Sequence, residues 1–277
     1  VLDSGFQGLQ AALGNTLPAT VVSRSFRSDG NLNGGTEHGR RAAEVIHRLA
    51  PGAALTLVNF STVTELSAAV DFLIEQRVDV ISFSLGYVHN GPGDGTGAVN
   101  AIVSRATDAG IAWAVAAGNW AQQHYAATFR DTDRDGLHEF APGVETNQRA
   151  FNAGDLITVS LRWDDVWGAA CSDYDLELFG PDGGLVRASR GIQNCSGDPV
   201  ESLQVLATRS GAYSVRVVEA RSDVPKAFDL MVVGSPDRGG VLEFNVAAGS
   251  LSQPADHPAV VTVGALTATA TREEAPY

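Results

Sequence analysis

The sequence has 277 residues, with 19 Lys and Arg against 32 Asp and Glu, a net charge of −13 and a pI near 4.8. That acidic balance argues against a nucleic-acid surface and against an anionic membrane, and no apolar run approaches the roughly 20 residues of a membrane span. With 44% hydrophobic residues there is ample material for a core, and the length fits one large domain or two ordinary ones.

The chain opens VLDSGF and closes EEAPY, with no initiator Met, no visible signal peptide and no stop signal at its end. It reads as a segment of a longer protein. A first strand ends at Asp3, and residues 19–23 (ATVVS) read as extended. Ala42, Val45, Ile46, Leu49 and Ala50 then fall on one helical face, stopped by Pro51 and Gly52. LTLVNF (55–60) is a strand. Thr62 with Glu65 makes a capping box, and Leu66, Ala69, Val70, Leu73 and Ile74 continue as the apolar stripe of a helix. VDVISFSLG (78–86) is almost continuously apolar, the pattern of a parallel strand covered on both faces. Val99, Ile102, Val103 and Ala106 mark the next helix, closed by Gly110, and the run Ala114–Val115–Ala116–Ala117 is a buried strand cut short by Gly118 and Asn119. This alternation predicts an α/β fold with a doubly wound, mostly parallel sheet.

From about His124 the rhythm changes. LITVSLRW (156–163), YDLELF (174–179), LQVLAT (203–208), AYSVRVV (212–218), AFDLMVV (227–233) and VLEFNV (241–246) are short alternating strands, several separated by turns such as GPDGG. That spacing predicts an antiparallel β-sandwich. HPAVVTVGAL (257–266) reads as a buried strand of the first kind again. The expected organisation is therefore an α/β domain over 1–123, an inserted β-sandwich over 124–250, and a return to the α/β domain over 251–277.

Cys171 and Cys195 are the only cysteines, and both sit in loop-rich acidic surroundings. Structural free thiols favour apolar neighbours, so one disulfide formed in an oxidising compartment fits better, with two separate thiols as the alternative.

Asp3 ends a strand, His38 directly precedes a helix in GTEHGRRAAEVI, and Asn119 ends another strand. In open α/β sheets the carboxyl ends of strands converge on ligands. An Asp that orients a His, with an amide donor nearby, is most of an acyl-transfer site. Singly each has a plainer reading, a turn or a cap; Gly-Asn after a strand is usually just a turn.

Together, VLDSGF (1–6), GTEHG (35–39), SFSLG (82–86), AVAAGN (114–119) and HPAVVTVGAL (257–266) resemble the subtilisin-like serine peptidases, the subtilases, and stand in that family's order. The resemblance implies that Asp3 orients His38, that His38 is the general base, and that the Asn119 amide donates to the oxyanion. It also implies that Ser84, Leu85 and Gly86 pair with extended substrate while Gly118 allows close approach. The chain departs from the family in two ways. Arg40 and Arg41 stand where the family has Thr and small residues, and the Gly-Thr-Ser nucleophile motif is absent, so the catalytic serine is expected beyond Tyr277. The implied function is a secreted serine endopeptidase acting on peptide or protein substrates, with no cofactor required for its chemistry. The alternative is a non-catalytic scaffold whose insert binds a protein or glycan. An α/β hydrolase reading fails for want of a G-x-S-x-G elbow.

Within the insert, DTDRDGLHEF places Asp131, Asp133 and Asp135 at alternate positions before Gly136, with Glu139 following. This is the first half of a calcium loop, or else an acidic turn. SDYDLELFGPDGG (172–184) resembles the strand and hairpin of small jelly-roll modules found near secreted peptidases, of the bacterial pre-peptidase C-terminal type. Its Asp173 and Asp175 read as residues solvating a strand start, with cation binding as the alternative. Trp163 and Trp167 read as sandwich core or rim.

Overall fold

The computed structural model describes residues 1–235 and 240–266, and the chain divides into two compact units. One comprises Val1–Ala117 with the segment that begins at Ser252; the other is formed by Gly118–Leu251.

The first unit runs β1 (Leu2–Asp3), α1 (Leu9–Ala12), β2 (Val22–Ser25), α2 (His38–Leu49), β3 (Thr56–Asn59), α3 (Val63–Glu75), β4 (Val80–Phe83), α4 (Ala98–Asp108), β5 (Ala112–Ala116), and finally β14 (Val261–Val263). Every strand pairing in it is parallel, in the ladders β2-β3-β1 and β4-β5-β14, and β1 runs beside β4 where the ladders meet. The chain leaves β1 toward β3 and β2 on one side and later returns to β4 on the other. The switch point where ligands bind in such sheets therefore lies at the end of β1. Alternation along β3 serves two cores. Val58 packs with Leu66 and Val70 of α3, Val99 and Val103 of α4, and Trp113. Leu57 packs on the opposite side with Phe6, Leu9 and Ala43.

Three expectations for this unit need correction. The apolar stripe of α2 is not its buried face: Leu49 is 81% exposed and Val45 59%, while Gly39 and Ala43 are the buried residues. Close approach of the helix to the Phe6 loop demands small residues, and Gly39 and Ala43 supply them. The β4 strand is not covered on both faces, since Ile81 and Phe83 are buried but Val80 is 59% exposed. In β14, likewise, Val261 and Val263 are exposed. That strand lies at the end of its ladder, and among the described residues nothing packs over that face.

The second unit holds β6 (His124–Thr128), β7 (Asn147–Phe151), β8 (Leu156–Trp163), β9 (Asp173–Phe179), β10 (Leu185–Ser189), β11 (Val200–Leu206), β12 (Gly211–Arg221) and β13 (Ala227–Ser235). They form two antiparallel sheets, β10-β9-β12-β7 and β11-β8-β13-β6. Between them lies one core containing Ile157, Leu161 and Trp163 of β8, Tyr174, Leu176 and Leu178 of β9, Val215 and Val217 of β12, and Leu230 of β13. Cys171 and Cys195 are joined by a disulfide. The stretch 241–246 is not a strand: Leu242 is fully buried, but its neighbours' backbone N–H groups go to Gln148 O, Asn147 Oδ1 and His124 O rather than to a ladder. The alternation there reflects one-sided burial without strand pairing.

Among the described residues no helix is long and apolar enough to cross a membrane.

Candidate active site

Asp3 is the last residue of β1 and is fully buried. Its Oδ1 accepts from the Ser4 backbone N–H at 2.7 Å and from the Ser4 hydroxyl at 3.2 Å. His38 opens α2, and its Nδ1 lies 2.8 Å from Asp3 Oδ2 and 3.0 Å from Oδ1. A carboxylate there can only accept, so Nδ1 carries the proton and Nε2 keeps its lone pair. The His38 side chain is 49% exposed, and among the described residues Nε2 meets no hydrogen-bond partner. The hydrogen bond to Asp3 raises the His38 pKa above its usual value; partial burial opposes this and the Asp3 charge adds to it.

Close backbone approach makes this contact possible. A Cβ at Gly39 would stand 2.6 Å from the Asp3 Cβ and 2.8 Å from Gly5 O, nearer than real carbon contacts allow, so only glycine lets α2 begin this close to β1. Asn59, fully buried at the end of β3, donates from Nδ2 to Asn31 O at 2.9 Å and Leu32 O at 3.1 Å, with a longer bond to Ser4 O. It thus fastens the loop before His38 to the strand end beside Asp3. Sequence reading missed Asn59, because its partners lie in segments distant along the chain.

Arg40 does not crowd His38. It bonds Gln7 O through Nε at 2.8 Å and Glu44 through Nη1 at 2.7 Å, and it pairs with Glu37. Arg41 is exposed.

Ser84, Leu85 and Gly86 directly follow β4, with Ser84 exposed and Leu85 packed against the core. Tyr87 pairs with Gln253 by two backbone hydrogen bonds of 2.8 and 3.1 Å, which anchors the end of this segment. Gly118 has φ of +108°, a conformation for which glycine is the suited residue. Asn119 is exposed, and its backbone carbonyl accepts from Gln123 Nε2 at 3.1 Å.

In the second unit, carboxylate oxygens of Asp131, Asp133 and Asp135 lie within 4.8 Å of one another. Asp131 Oδ1 accepts from Arg134 N at 2.6 Å and its Oδ2 from Gly136 N at 2.9 Å. Desolvation and the neighbouring Asp135 and Asp131 hold the Asp133 carboxyl above its usual pKa. Glu139 is not gathered with these three; it accepts from the Thr132 hydroxyl and pairs with Arg130 at 3.3 Å.

The model of the subtilase family of peptidases matches residues 2–146. Among solved structures, the CspB protease of Clostridium perfringens aligns with a TM-score of 0.55 at 14% identity, over 81% of this chain and 52% of that one. The chain thus spans about half the length of that protease. The pre-peptidase C-terminal domain of a Bacillus anthracis collagenase aligns over 43% of this chain and 92% of its own, with a TM-score of 0.28 at 10% identity. No curated protein sequence matches the chain.

Proposed function

The chain belongs to the subtilase family, and we propose that it carries the acid and the base of a serine endopeptidase whose nucleophile lies outside these 277 residues. The observation that carries this reading is the bond between buried Asp3 and half-exposed His38, 2.8 Å at its shorter. Asp3 fixes the imidazole tautomer and stabilises the imidazolium once it forms. The open Nε2 takes the proton of an incoming serine hydroxyl as it attacks the peptide carbonyl, then returns that proton to the leaving amine. In this proposal the Asn119 side chain donates to the oxyanion, the largest single contribution in many acyl transfers. Ser84, Leu85 and Gly86 pair with extended peptide by main-chain hydrogen bonds, and Gly118 leaves room for it. The substrate is a peptide or protein, and the disulfide supports an extracytoplasmic setting.

The test is the coding sequence downstream of Tyr277 and the activity of the protein that includes it. A Gly-Thr-Ser motif there, peptide cleavage by the extended protein, labelling by a fluorophosphonate, and loss of both on His38→Ala are the expected results. The chain ending at Tyr277 should show neither activity nor labelling. An extended protein that folds yet neither cleaves nor labels would leave the alternative, a scaffold whose β-sandwich binds a protein or glycan.

Calcium at Asp131, Asp133 and Asp135 is a lesser proposal, supported by three converging carboxylates whose repulsion a divalent cation would relieve.

A further inference from the structure

Two Asn-Gly pairs occur in the chain, Asn33–Gly34 and Asn90–Gly91. A glycine has no side chain to shield its backbone nitrogen, which can close a five-membered ring on the amide carbon of the asparagine before it. Burial separates the two pairs. Asn33 is exposed, and among the described residues its side-chain amide makes no hydrogen bond and the Gly34 N–H meets no acceptor. Both reacting groups are uncommitted there. Gly91, by contrast, is buried, and a Cβ on it would run into the Gln253 side-chain amide.

The loop that carries Asn33 is wedged between the surroundings of Asp3 and those of His38. On one side, Leu32 O accepts from Phe6 N at 3.0 Å. Asn33 O lies so close to Gly5, and Gly34 so close to Ser4 O, that neither glycine has room for a Cβ. Ser4 is the residue whose N–H and hydroxyl bond the Asp3 carboxylate. On the other side, Asn33 O accepts from Thr36 N at 3.3 Å, and Thr36 Oγ1 accepts from His38 N at 3.2 Å. Gly5 O in turn accepts from Gly39 N at 3.0 Å. A change of main-chain length at residue 33 therefore reaches both members of the pair through groups already in contact.

We propose that Asn33–Gly34 is a site of spontaneous deamidation whose isoaspartyl product uncouples Asp3 from His38. The Gly34 nitrogen bonds to Asn33 Cγ, the bond from Cγ to Nδ2 breaks, and ammonia leaves with the proton that Gly34 gave up. Water then opens the succinimide. Cleavage between Cγ and the Gly34 nitrogen gives aspartate. Cleavage between the main-chain carbonyl carbon and that nitrogen gives isoaspartate, in which the chain runs through Cβ and Cγ and is one methylene longer. Both products put a carboxylate where a neutral amide stood. The aspartyl form keeps the main-chain path beside Ser4 and Gly5. The isoaspartyl form does not, because that contact has no space for one further carbon. Neither Asn33 nor Gly34 belongs to the peptidase machinery proposed above, so each reading can fail alone.

The test incubates the whole 277-residue chain in mildly alkaline buffer made with heavy-oxygen water, for long enough to convert an unstructured Asn-Gly peptide. Peptide mapping by mass spectrometry follows label entering at Asn33 and Asn90, and enzymatic isoaspartyl methylation measures isoaspartate. Labelling at Asn33 should be at least severalfold faster than at Asn90. NMR of the same samples should show the raised His38 midpoint falling toward that of a free histidine as isoaspartate accumulates. Asn33→Gln, whose longer side chain closes a ring far more slowly, should hold both its mass and its His38 midpoint through the incubation. Asn33→Asp carries the charge without the longer chain and should not lower the midpoint. Circular dichroism of the aged chain should stay native. No labelling at Asn33, faster labelling at Asn90, or an isoaspartyl chain with an unchanged His38 midpoint would overturn the proposal. So would a midpoint that falls equally in Asn33→Gln, or one that falls only with loss of the native circular dichroism.

Discussion

His38 and Asp3 are a residue-scale device with a pH signature. The folded-state His38 pKa is raised, by the Asp3 hydrogen bond first and its charge as well. The stabilisation of the imidazolium is then fully present below the unfolded histidine value, about 6.5, and is lost as pH rises through the higher folded value. NMR titration should place His38 above a free histidine. Asp3→Asn should lower that midpoint and abolish the pH dependence of stability just above 6.5. A titration curve unchanged by the substitution would show that the two side chains do not communicate. The Asp3–His38 pair was legible in the sequence because short local patterns, VLDSG and EHG, mark its two members out. Asn59 was not legible: an Asn at a strand end reads as a turn residue, and its role exists only once the loop at Asn31 and Leu32 is folded against it. The fate of Asp173 was hidden for a similar reason. An acidic residue opening a strand reads as solvated, whereas Asp173 at the start of β9 is only 7% exposed.

At the scale of elements, α3 is the most fully specified piece of the chain. Its Thr62–Glu65 capping box forms as the spacing predicts, with Glu65 N donating to Thr62 Oγ1 at 3.2 Å and Thr62 N donating to Glu65 at 2.9 Å. Glu65 also accepts from Ser61 N at 2.7 Å and from Ser28 N at 2.8 Å, a group from another loop. Thr62→Ala should therefore cost about 1 kcal/mol, the usual price of a lost cap. Glu65→Ala should destabilise more, since three backbone donors lose their acceptor. Chemical denaturation of both variants checks the ranking, and equal or reversed midpoint shifts would contradict it. The buried stripes of α3 and α4 follow the 3.6 period because the two helices pack on each other and on the core beside β3 and β5. The α2 pattern misleads because Gly39 and Ala43, two small residues, make the close contact while the larger apolar residues Val45 and Leu49 stay exposed. Hydrophobic periodicity reports which face is apolar, and close packing at a site can choose a different one. For the sandwich, β8 is legible from end to end because its alternation matches a half-buried surface. The β6 and β7 strands went unseen: HYAAT and NQRAF bury His124, Asn147 and Arg149, polar residues that alternation counts as outward-facing.

On the scale of the whole molecule, the two units should differ in stability. The α/β unit leaves Leu49, Val80, Val261 and Val263 exposed, so its parallel sheet lacks part of the two-sided cover such sheets normally have. The sandwich unit encloses its core between two complete sheets and adds a disulfide with a sequence separation of 24 residues. Closing a loop of that length stabilises by roughly 3 kcal/mol in the chain-entropy account. Both cores are large enough to unfold on their own account, so a single two-state transition is not the expectation. Scanning calorimetry should resolve two transitions, with the α/β unit melting first. Dithiothreitol should lower the upper one and leave the lower one in place. Hydrogen exchange should agree, with amides of β8, β9 and β12 protected longer than those of β4 and β5. A single sharp transition that moves as a whole on reduction would mean that the two cores unfold as one cooperative body. The difference in cover would then have no thermodynamic consequence. Survival of the lower transition unchanged, with loss of the upper one's stability on reduction, would locate the disulfide's contribution wholly in the sandwich. It would also make the exposed sheet face the reason why the α/β unit is the first to open.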